Sequence, residues 1–194
     1  MGISGKQDEL IHVEEAKKAG IQIIKRFSGG GTVVVDHNTV FATLIMQAEA
    51  VPGLECYPRP VMKWSEGFYK NVFGPHGAFS LREHDYTFGE QKFGGNAQAI
   101  TKQRWLHHTS FLWDFDRDNM ALLKHPSRVP EYRKERDHLA FICRLRDFMP
   151  KEAVMEGIER ALDAAGFATE EVTLEEASRV TELEHIRNTH TIDL

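Results

Sequence analysis

The hydrophobic positions of this chain follow a strand-like pattern in the first two thirds and a helical spacing in the last third. Alternating or β-branched apolar runs, bounded by glycine, proline and polar residues, predict strands. These runs cover residues 21–24, 32–35, 40–46, 86–88, 92–93, 96–101 and 105–113. Apolar residues spaced three or four apart predict helices over residues 8–19, 61–72, 119–123 and 151–165, one or two more within 131–148, and a last one opening at Thr173.

The order of these elements indicates the fold class. Because most strands precede most helices, the chain is expected to be α+β and not a doubly wound parallel sheet. Beyond residue 167 the sequence is charged and shows few core positions, so part of this tail is expected to be disordered.

Two glycine clusters interrupt the predicted strands. Ser28 and the three glycines after it form a loop, while Gly94 and Gly95 break or bulge the second strand of a hairpin that turns at Gly89. Consecutive glycines are costly in backbone entropy, unless the main chain needs a positive φ or lies against a ligand. Amides of this kind can bind an anion, and Arg26 adds positive charge beside them. A flexible hairpin turn is the alternative interpretation.

Lys92 and two adjacent histidines are the other candidate chemical groups. A lysine beside a glycine pair can point at a phosphate, although the pattern taken alone favours a solvated hairpin lysine. His107 and His108 are neighbours in a predicted strand, so they face opposite sides of the sheet. They cannot bind one metal together, and no third ligand lies at a useful spacing, so no zinc or other metal site is expected.

Composition and charge narrow the function classes. The 194 residues are sufficient for one sizeable core, and the net charge of −5 gives no general attraction to nucleic acid or anionic membranes. No apolar run approaches the length of a membrane-spanning helix, and no targeting segment is visible. Cys56 and Cys143 form no CxxC pair, so a disulfide framework is not expected. A monomer in the cytoplasm or mitochondrion is expected.

Four sequence blocks carry a family resemblance. They read RFSGGGTV at residues 26–33, KFGGNAQ at 92–98, LHHT at 106–109 and VPEYR at 129–133. In order and spacing they resemble the signature blocks of the lipoate–protein ligase A family, within the biotin/lipoate A/B protein ligase superfamily. The resemblance covers roughly residues 1–150 and implies mixed, mainly antiparallel sheets flanked by helices. It implies one catalytic domain over residues 1–167 that lacks the family's first helix and strand. The tail over 168–194 is too short to be an accessory domain.

The same resemblance implies an activity and its partners. ATP and lipoate, or a related acyl acid, would form acyl-AMP, with Mg²⁺ offsetting charge, and an acceptor lysine would then take the acyl group. The acceptors would be the lipoyl domains of 2-oxoacid dehydrogenase E2 components and the glycine-cleavage H protein.

The resemblance also assigns roles to residues. Lys92 would be the catalytic residue, contacting the carbonyl and phosphate of the intermediate. As an exposed hairpin lysine it would contribute little to stability, so Lys92→Ala should abolish transfer and leave the fold intact. The substrate-binding residues would be Arg26, Ser28, Gly29, Gly30, Gly31, Thr32, Gly95, Asn96, Ala97 and His108.

Two other functions stay open. An octanoyl or lipoyl transferase would act without ATP through a cysteine thioester, but residues 77–91, where that cysteine is expected, contain none. A non-catalytic homologue would bind the acyl-adenylate without turnover. The second alternative is motivated by Val35, which stands before Asp36 where the family often has a histidine.

Overall fold

The computed structural model describes residues 1–125, 129–180 and 189–192. The strands are β1 Ile23–Lys25, β2 Thr39–Gln47, β3 Phe79–Arg82, β4 Asp85–Phe88, β5 Gln91–Ile100, β6 Arg104–Leu112 and β7 His190–Ile192. The helices are α1 Gln7–Leu10, α2 Val13–Lys18, α3 Pro58–Phe73, α4 Arg117–Ala121, α5 His138–Phe141, α6 Lys151–Ala164 and α7 Leu174–Arg179. Short 3₁₀ turns occur at Ala48–Ala50, Gly74–His76, Glu131–Arg133 and Leu145–Asp147.

The strands form two antiparallel sheets. The larger sheet has five strands in the order β2-β6-β5-β4-β3, and the smaller one pairs β1 with β7. Helices flank the sheets, so the predicted α+β class with mainly antiparallel sheets is confirmed.

One face of the larger sheet carries the core. Helix α3 starts with Pro58, whose fixed φ suits a first helical position, and buries one apolar face against the sheet. Its Phe73 ring lies 4.9 Å from Phe93 and 5.0 Å from Phe111, and its Tyr69 ring lies 5.1 Å from Phe111. Helix α6 packs behind α3 and closes this layer. The opposite face of the sheet therefore stays free of the core and can line a site.

Most of the long predicted elements are confirmed. The predicted strands over 40–46, 96–101 and 105–113 correspond to β2, β5 and β6, and the predicted helices over 61–72 and 151–165 to α3 and α6. The hairpin turns at Gly89 with φ of +56°. Thr173 begins α7 with a complete capping box, in which its hydroxyl accepts from the Glu176 N–H at 3.2 Å.

Two predictions were wrong, and a third, of one or two helices within 131–148, is met only over the four residues of α5. Residues 32–35 form no strand, because Val34 packs into a local cluster with Phe115 and Phe141 and the other valines are exposed. The helix over 8–19 divides into α1 and α2 at Ile11, which forms a bridge with Leu123. Residues 131–148 hold only α5 and 3₁₀ turns.

The sequence patterns also missed two strands. Strand β3 has only partly buried residues, so it shows no alternation. Strand β7 lies in the charged tail and pairs Ile192 with Ile23. The expectation of disorder in the tail also covers residues 181–188 and 193–194, which are outside the described residues. In the described ranges, no helix is long and apolar enough to cross a membrane.

Two helical glycines provide a matched test of the core. A Cβ at Gly157 of α6 would lie 2.8 Å from the Val72 Cγ1 of α3, whereas a Cβ at the exposed Gly67 of α3 would meet nothing within 4 Å. We expect Gly157→Ala to lower the free energy of unfolding by about 1–3 kcal/mol through overpacking. Gly67→Ala should raise it by about 0.5–1 kcal/mol through helix propensity. Urea unfolding of both variants measures the difference, and equal effects would contradict the α3–α6 packing.

Candidate active site

A cavity of about 1030 Å³ opens beside the larger sheet, where His108 and Ser110 of β6 line it, and it reaches Pro58 and Met62 at the start of α3. The glycine loop after β1, the smaller sheet, and residues of β5 and β6 surround it. All predicted site residues line this cavity except Ser28. Ser28 begins the loop outside the cavity lining, and its carbonyl accepts a hydrogen bond from the Ile3 N–H at 3.0 Å. The structure therefore brings together segments that are about 65 residues apart in the chain.

The glycine loop has a defined conformation. Gly30 has φ of +114°, which favours glycine, and a Cβ at Gly2 would come 2.2 Å from the Gly30 carbonyl oxygen. Arg26 donates from Nη2 to the Gly31 carbonyl oxygen at 2.9 Å and to that of Gly29 at 3.5 Å. The loop contacts the first residues of the chain, and the strands on either side of it, β1 and β2, lie in different sheets. The interpretation as a hairpin turn is therefore wrong.

Two polar atoms at this loop are buried without partners in the described part of the chain. They are Arg26 Nε and Thr32 Oγ1, and both residues line the cavity. An unpaired buried donor costs about 1–3 kcal/mol, so a ligand that accepts hydrogen bonds here would be stabilised. Burial lowers the pKa of Arg26, but a guanidinium keeps its charge in proteins. The loop therefore combines a fixed cation with unused donors, a combination that suits an anion.

Lys92 occupies the opposite wall of the cavity and is not a solvated hairpin lysine. Its Nζ lies 2.6 Å from Asp85 Oδ1, and the two side chains are only 25% and 10% exposed. The same Nζ lies 3.3 Å from the point where a Cβ of Gly95 would stand. Lys92 therefore rests against the bare backbone of Gly95 and directs its ammonium into the cavity.

A β-bulge turns Lys92 toward the cavity. Strand β4 pairs Tyr86 with Gly94 and Thr87 with Lys92, so Phe93 is an extra residue in β5. In a regular strand Lys92 and Gly94 would share a face, and Phe93 would point into the cavity. The bulge instead lets Phe93 enter the aromatic core, where it is fully buried. The bulge predicted near Gly94 and Gly95 is confirmed, one residue earlier in β5.

The two histidines face opposite sides, as predicted. His108 faces the cavity, with its Nδ1 2.7 Å from Thr43 Oγ1, and burial followed by the charge of Arg26 lowers its pKa. His107 is fully buried on the core side, and its Nε2 lies 2.8 Å from Tyr86 Oη. Burial lowers the pKa of His107 to about 4.

Comparison with known proteins identifies the family of this chain. A family model described as the lipoyl protein ligase A/B catalytic domain matches residues 1–166. The chain belongs to this family. The resemblance of the four sequence blocks to lipoate–protein ligases is thereby confirmed.

One curated relative bears on activity. A Plasmodium falciparum protein named inactive lipoate–protein ligase 2 is 28% identical over 177 aligned residues, which cover 73% of this chain and 46% of that protein. This chain of the lipoyl protein ligase family therefore spans about half the length of that relative.

Two solved structures share the fold. A lipoate–protein ligase A bound with ATP has a TM-score of 0.72 at 20% identity, covering 94% of this chain and 75% of that one. A bi-partite lipoate protein ligase of Thermoplasma acidophilum, reported with its E2 lipoyl domain, has a TM-score of 0.71 at 22% identity, covering 94% and 73%. The arrangement of helices and sheets around the cavity is thus that of lipoate–protein ligases.

The cysteines of this lipoyl protein ligase family member lie outside the cavity lining. Cys143 is buried, and burial followed by the charge of Asp147 raises the pKa of its thiol to about 11. Cys56 is partly buried and packs at the edge of the core. A thiol with a raised pKa is a poor nucleophile near neutral pH, which argues against Cys143. Cys56 is outside the cavity lining, so neither position suits thioester chemistry in this cavity.

The donor set does not form a resident magnesium site. Among the described residues no group of three or more histidine, cysteine, aspartate or glutamate side chains could hold a metal ion. Asp85 is the carboxylate of the described cavity lining, and both of its oxygens already contact Lys92 and Tyr132. Binding of Mg²⁺ therefore stays a prediction. The ion would bind together with ATP, because the phosphates of ATP and bound water can supply most of the ligands of the ion.

Sequence reasoning missed three residues of the site. Asp85 lies between Lys92 and Tyr132, and Gln98 lines the cavity while its amide Nε2 lies 3.1 Å from His107 Nδ1. Tyr132 belongs to the VPEYR block, whose only signal in the sequence is its resemblance to the family. No spacing in the sequence links Tyr132 to Lys92, because they meet through packing of distant segments.

The buried histidine makes stability depend on pH. His107 is kept neutral in the fold, with a pKa of about 4 against 6.5 as its ordinary value, and burial lowers the pKa of His138 to about 4 as well. The unfolded chain therefore binds more protons below pH 6.5, so stability present above that pH is lost as pH falls toward 4. We expect a slope of up to about 1.4 kcal/mol per pH unit for each histidine.

Urea unfolding between pH 7.5 and pH 4.5 measures this slope. His107→Gln should make it shallower by about one proton, although it lowers stability at neutral pH by disturbing the contacts with Tyr86 and Gln98. The exposed His37 provides the control, and His37→Gln should leave the slope unchanged. An unchanged slope in His107→Gln would contradict the buried neutral state of His107.

Proposed function

We propose that this chain activates lipoate, or a related acyl acid, with ATP and transfers the acyl group to a lysine of a lipoyl domain. The observation that carries the proposal is the position of the Lys92 ammonium, held by Asp85 against Gly95 and directed into the same cavity as the glycine loop. Arg26 and Lys92 thus place two cations around one space, which suits a phosphate-bearing intermediate with developing negative charge.

The cavity also has an apolar part. Ile11, Ile23 and Leu122 come from the small cluster beside the smaller sheet and line one end of it. Val33, Val35 and Phe41 add partly exposed apolar surface. An aliphatic acyl chain would bury its methylenes here at roughly 0.8 kcal/mol each. An acyl-adenylate has an apolar tail and a negatively charged phosphate, so it fits this division of the cavity into apolar and cationic parts.

The reaction proceeds in two steps. A carboxylate oxygen of the acid attacks the α-phosphorus of ATP, and pyrophosphate leaves with the electrons of the broken P–O bond. The ε-amine of the acceptor lysine then attacks the acyl carbonyl carbon, AMP leaves, and the amine releases a proton. Lys92 stabilises the charge on the carbonyl and phosphate oxygens in both steps. No protein nucleophile is needed, because activation and positioning supply the chemistry.

A non-catalytic binding protein is the second candidate function. The 28% identical Plasmodium falciparum relative that is named inactive favours it, and so does the apolar Val35 at the cavity. Such a protein would bind acyl-AMP and release no modified acceptor. A cysteine-dependent transferase is less compatible with the geometry, because Cys56 and Cys143 lie outside the cavity lining.

Removal of Lys92 tests its role. We expect Lys92→Met to reduce acyl transfer at least about a hundred-fold, since an interaction used in the transition state is lost. The ion pair with Asp85 changes the expectation for stability, because removal of Lys92 leaves a buried carboxylate without its cation. The free energy of unfolding should fall by about 1–3 kcal/mol. The earlier expectation that the fold would be indifferent to Lys92→Ala is corrected accordingly.

A double variant separates activity from stability. Lys92→Met combined with Asp85→Asn removes the unpaired charge, so stability should recover while transfer stays absent. The exposed Lys102, in the turn between β5 and β6, supplies the control Lys102→Met, which should transfer at the normal rate. Normal transfer by Lys92→Met would contradict the proposed catalytic role.

The overall function is tested by the intact mass of a lipoyl-domain acceptor. The protein is incubated with acceptor, lipoate and Mg-ATP, beside a second tube that holds octanoyl carrier protein and no ATP. A mass gain only with ATP supports the ligase, and a gain only in the second tube supports a transferase. No gain in either tube, together with tight binding of a sulfamoyl analogue of lipoyl-AMP, supports the non-catalytic binding protein.

A further inference from the structure

We propose that Tyr132 is a positioning residue for Lys92 and acts through the Asp85 carboxylate. The segment from Tyr132 to Cys143 restrains both the ammonium and the main chain of Lys92. The effect on acyl transfer rests on the function proposed above, whereas the effect on the position of the Lys92 ammonium does not. The sequence patterns had predicted helices for most of this segment.

The carboxylate of Asp85 lies between two hydrogen-bond donors. Tyr132 Oη donates to Asp85 Oδ2 at 2.8 Å, and Lys92 Nζ donates to Asp85 Oδ1 at 2.6 Å. Because both oxygens are engaged, the carboxylate plane cannot rotate without breaking a contact. An ammonium has three N–H donors, so this arrangement leaves two of them for a ligand in the cavity. The direction of those donors is therefore set by Tyr132 through Asp85.

Tyr132 is itself held firmly against the β4–β5 hairpin. Its ring lies 5.3 Å from Phe141, and the Arg82 guanidinium stands over it at 5.7 Å. Arg136 donates to the Tyr132 carbonyl oxygen at 2.7 Å and, with its other terminal nitrogen, to the Glu90 carbonyl oxygen at 2.8 Å. Arg136 thus ties the turn that carries Tyr132 to the hairpin that carries Lys92.

The environment keeps the Tyr132 hydroxyl protonated. Burial, followed by the charge of Asp85, raises the pKa of Tyr132 well above its ordinary value. The hydroxyl is therefore a donor to Asp85 throughout the pH range in which proteins are stable.

The backbone of Lys92 is held by the same segment. The Cys143 N–H donates to the Lys92 carbonyl oxygen at 2.8 Å, and Lys92 forms a parallel bridge with Ile142. This contact supports β5 at the bulge, where Phe93 is the extra residue. Tyr132 and Cys143 therefore restrain the ammonium and the main chain of one residue, and both restraints come from outside the sheet.

Stability alone does not account for this arrangement. Removing a carboxylate and an ammonium from water costs several kcal/mol per ion, and well-packed apolar residues of similar volume are often as stable or more stable. An ion pair at the wall of a cavity, with a tyrosine hydroxyl bonded to its carboxylate, is instead what a preorganised charge requires, because a fixed cation needs no reorganisation when negative charge develops.

Tyr132→Phe tests the proposal, because it keeps the ring and removes only the hydroxyl. The first readout is the ¹⁵N signal of the Lys92 ammonium, which is assigned by its loss in Lys92→Met. In the unmodified protein the ion pair should slow proton exchange enough for the signal to be seen, and in Tyr132→Phe it should broaden or vanish. Tyr57→Phe is the control, since Tyr57 is exposed and does not line the described cavity.

The second readout is kinetic. Formation of acyl-AMP from lipoate and Mg-ATP should slow about ten-fold in kcat, with KM for lipoate changed less than about two-fold, because the ground-state contacts of the acid are retained. Asp85→Asn should slow it further, and combining it with Tyr132→Phe should add nothing, since both act through one contact.

The outcomes separate the two proposals. If the unmodified protein forms no acyl-AMP, the proposed function fails, and the ammonium signal alone decides the role of Tyr132. An unchanged signal in Tyr132→Phe, or a normal kcat beside an active unmodified protein, would overturn the inference. A raised KM with a normal kcat would also overturn it.

Discussion

The bulge at Phe93 changes which residues of β5 face the aromatic core and which face the cavity. A β-strand presents alternate residues to opposite faces, so a regular β5 with Gly95 at the cavity would turn Phe93 to the cavity and Lys92 to the core. The extra residue resolves this conflict: Phe93 enters the core beside Phe73 and Phe88, and Lys92 turns to the cavity. The packing of the aromatic core, the position of the Lys92 ammonium and its close approach to Gly95 all depend on this change of register.

The cavity combines two cationic side chains with polar atoms that have no partner in the described residues. Arg26 fastens the glycine loop through backbone carbonyls and keeps one nitrogen without a partner in the described residues, while Lys92 faces the same space from the sheet. The chemistry of the proposed function depends on position more than on a nucleophile.

Local patterns predicted the elements that bury a continuous face. Helices α3 and α6 and strands β2, β5 and β6 have strong periodicity because one side of each packs against the core. Residues 131–148 show why other predictions failed. Their apolar positions suggest helices, but Phe141 and Tyr132 pack with arginines in an irregular path, and Lys134 has a positive φ of 55°. Such a path is stabilised by tertiary contacts that no local pattern encodes.

The sequence by itself determined the α+β class, the family, the glycine loop and ten of the residues that line the cavity. These depend on local periodicity and on residue types at short spacing, which are visible in one chain. Only the tertiary structure decided that Lys92 is paired with Asp85, that Tyr132 completes the contact, and that Ser28 lies outside the cavity lining. The contacts of Tyr132 and Ser28 join segments that are distant in the chain and meet only when the core folds, which no local pattern of residues records.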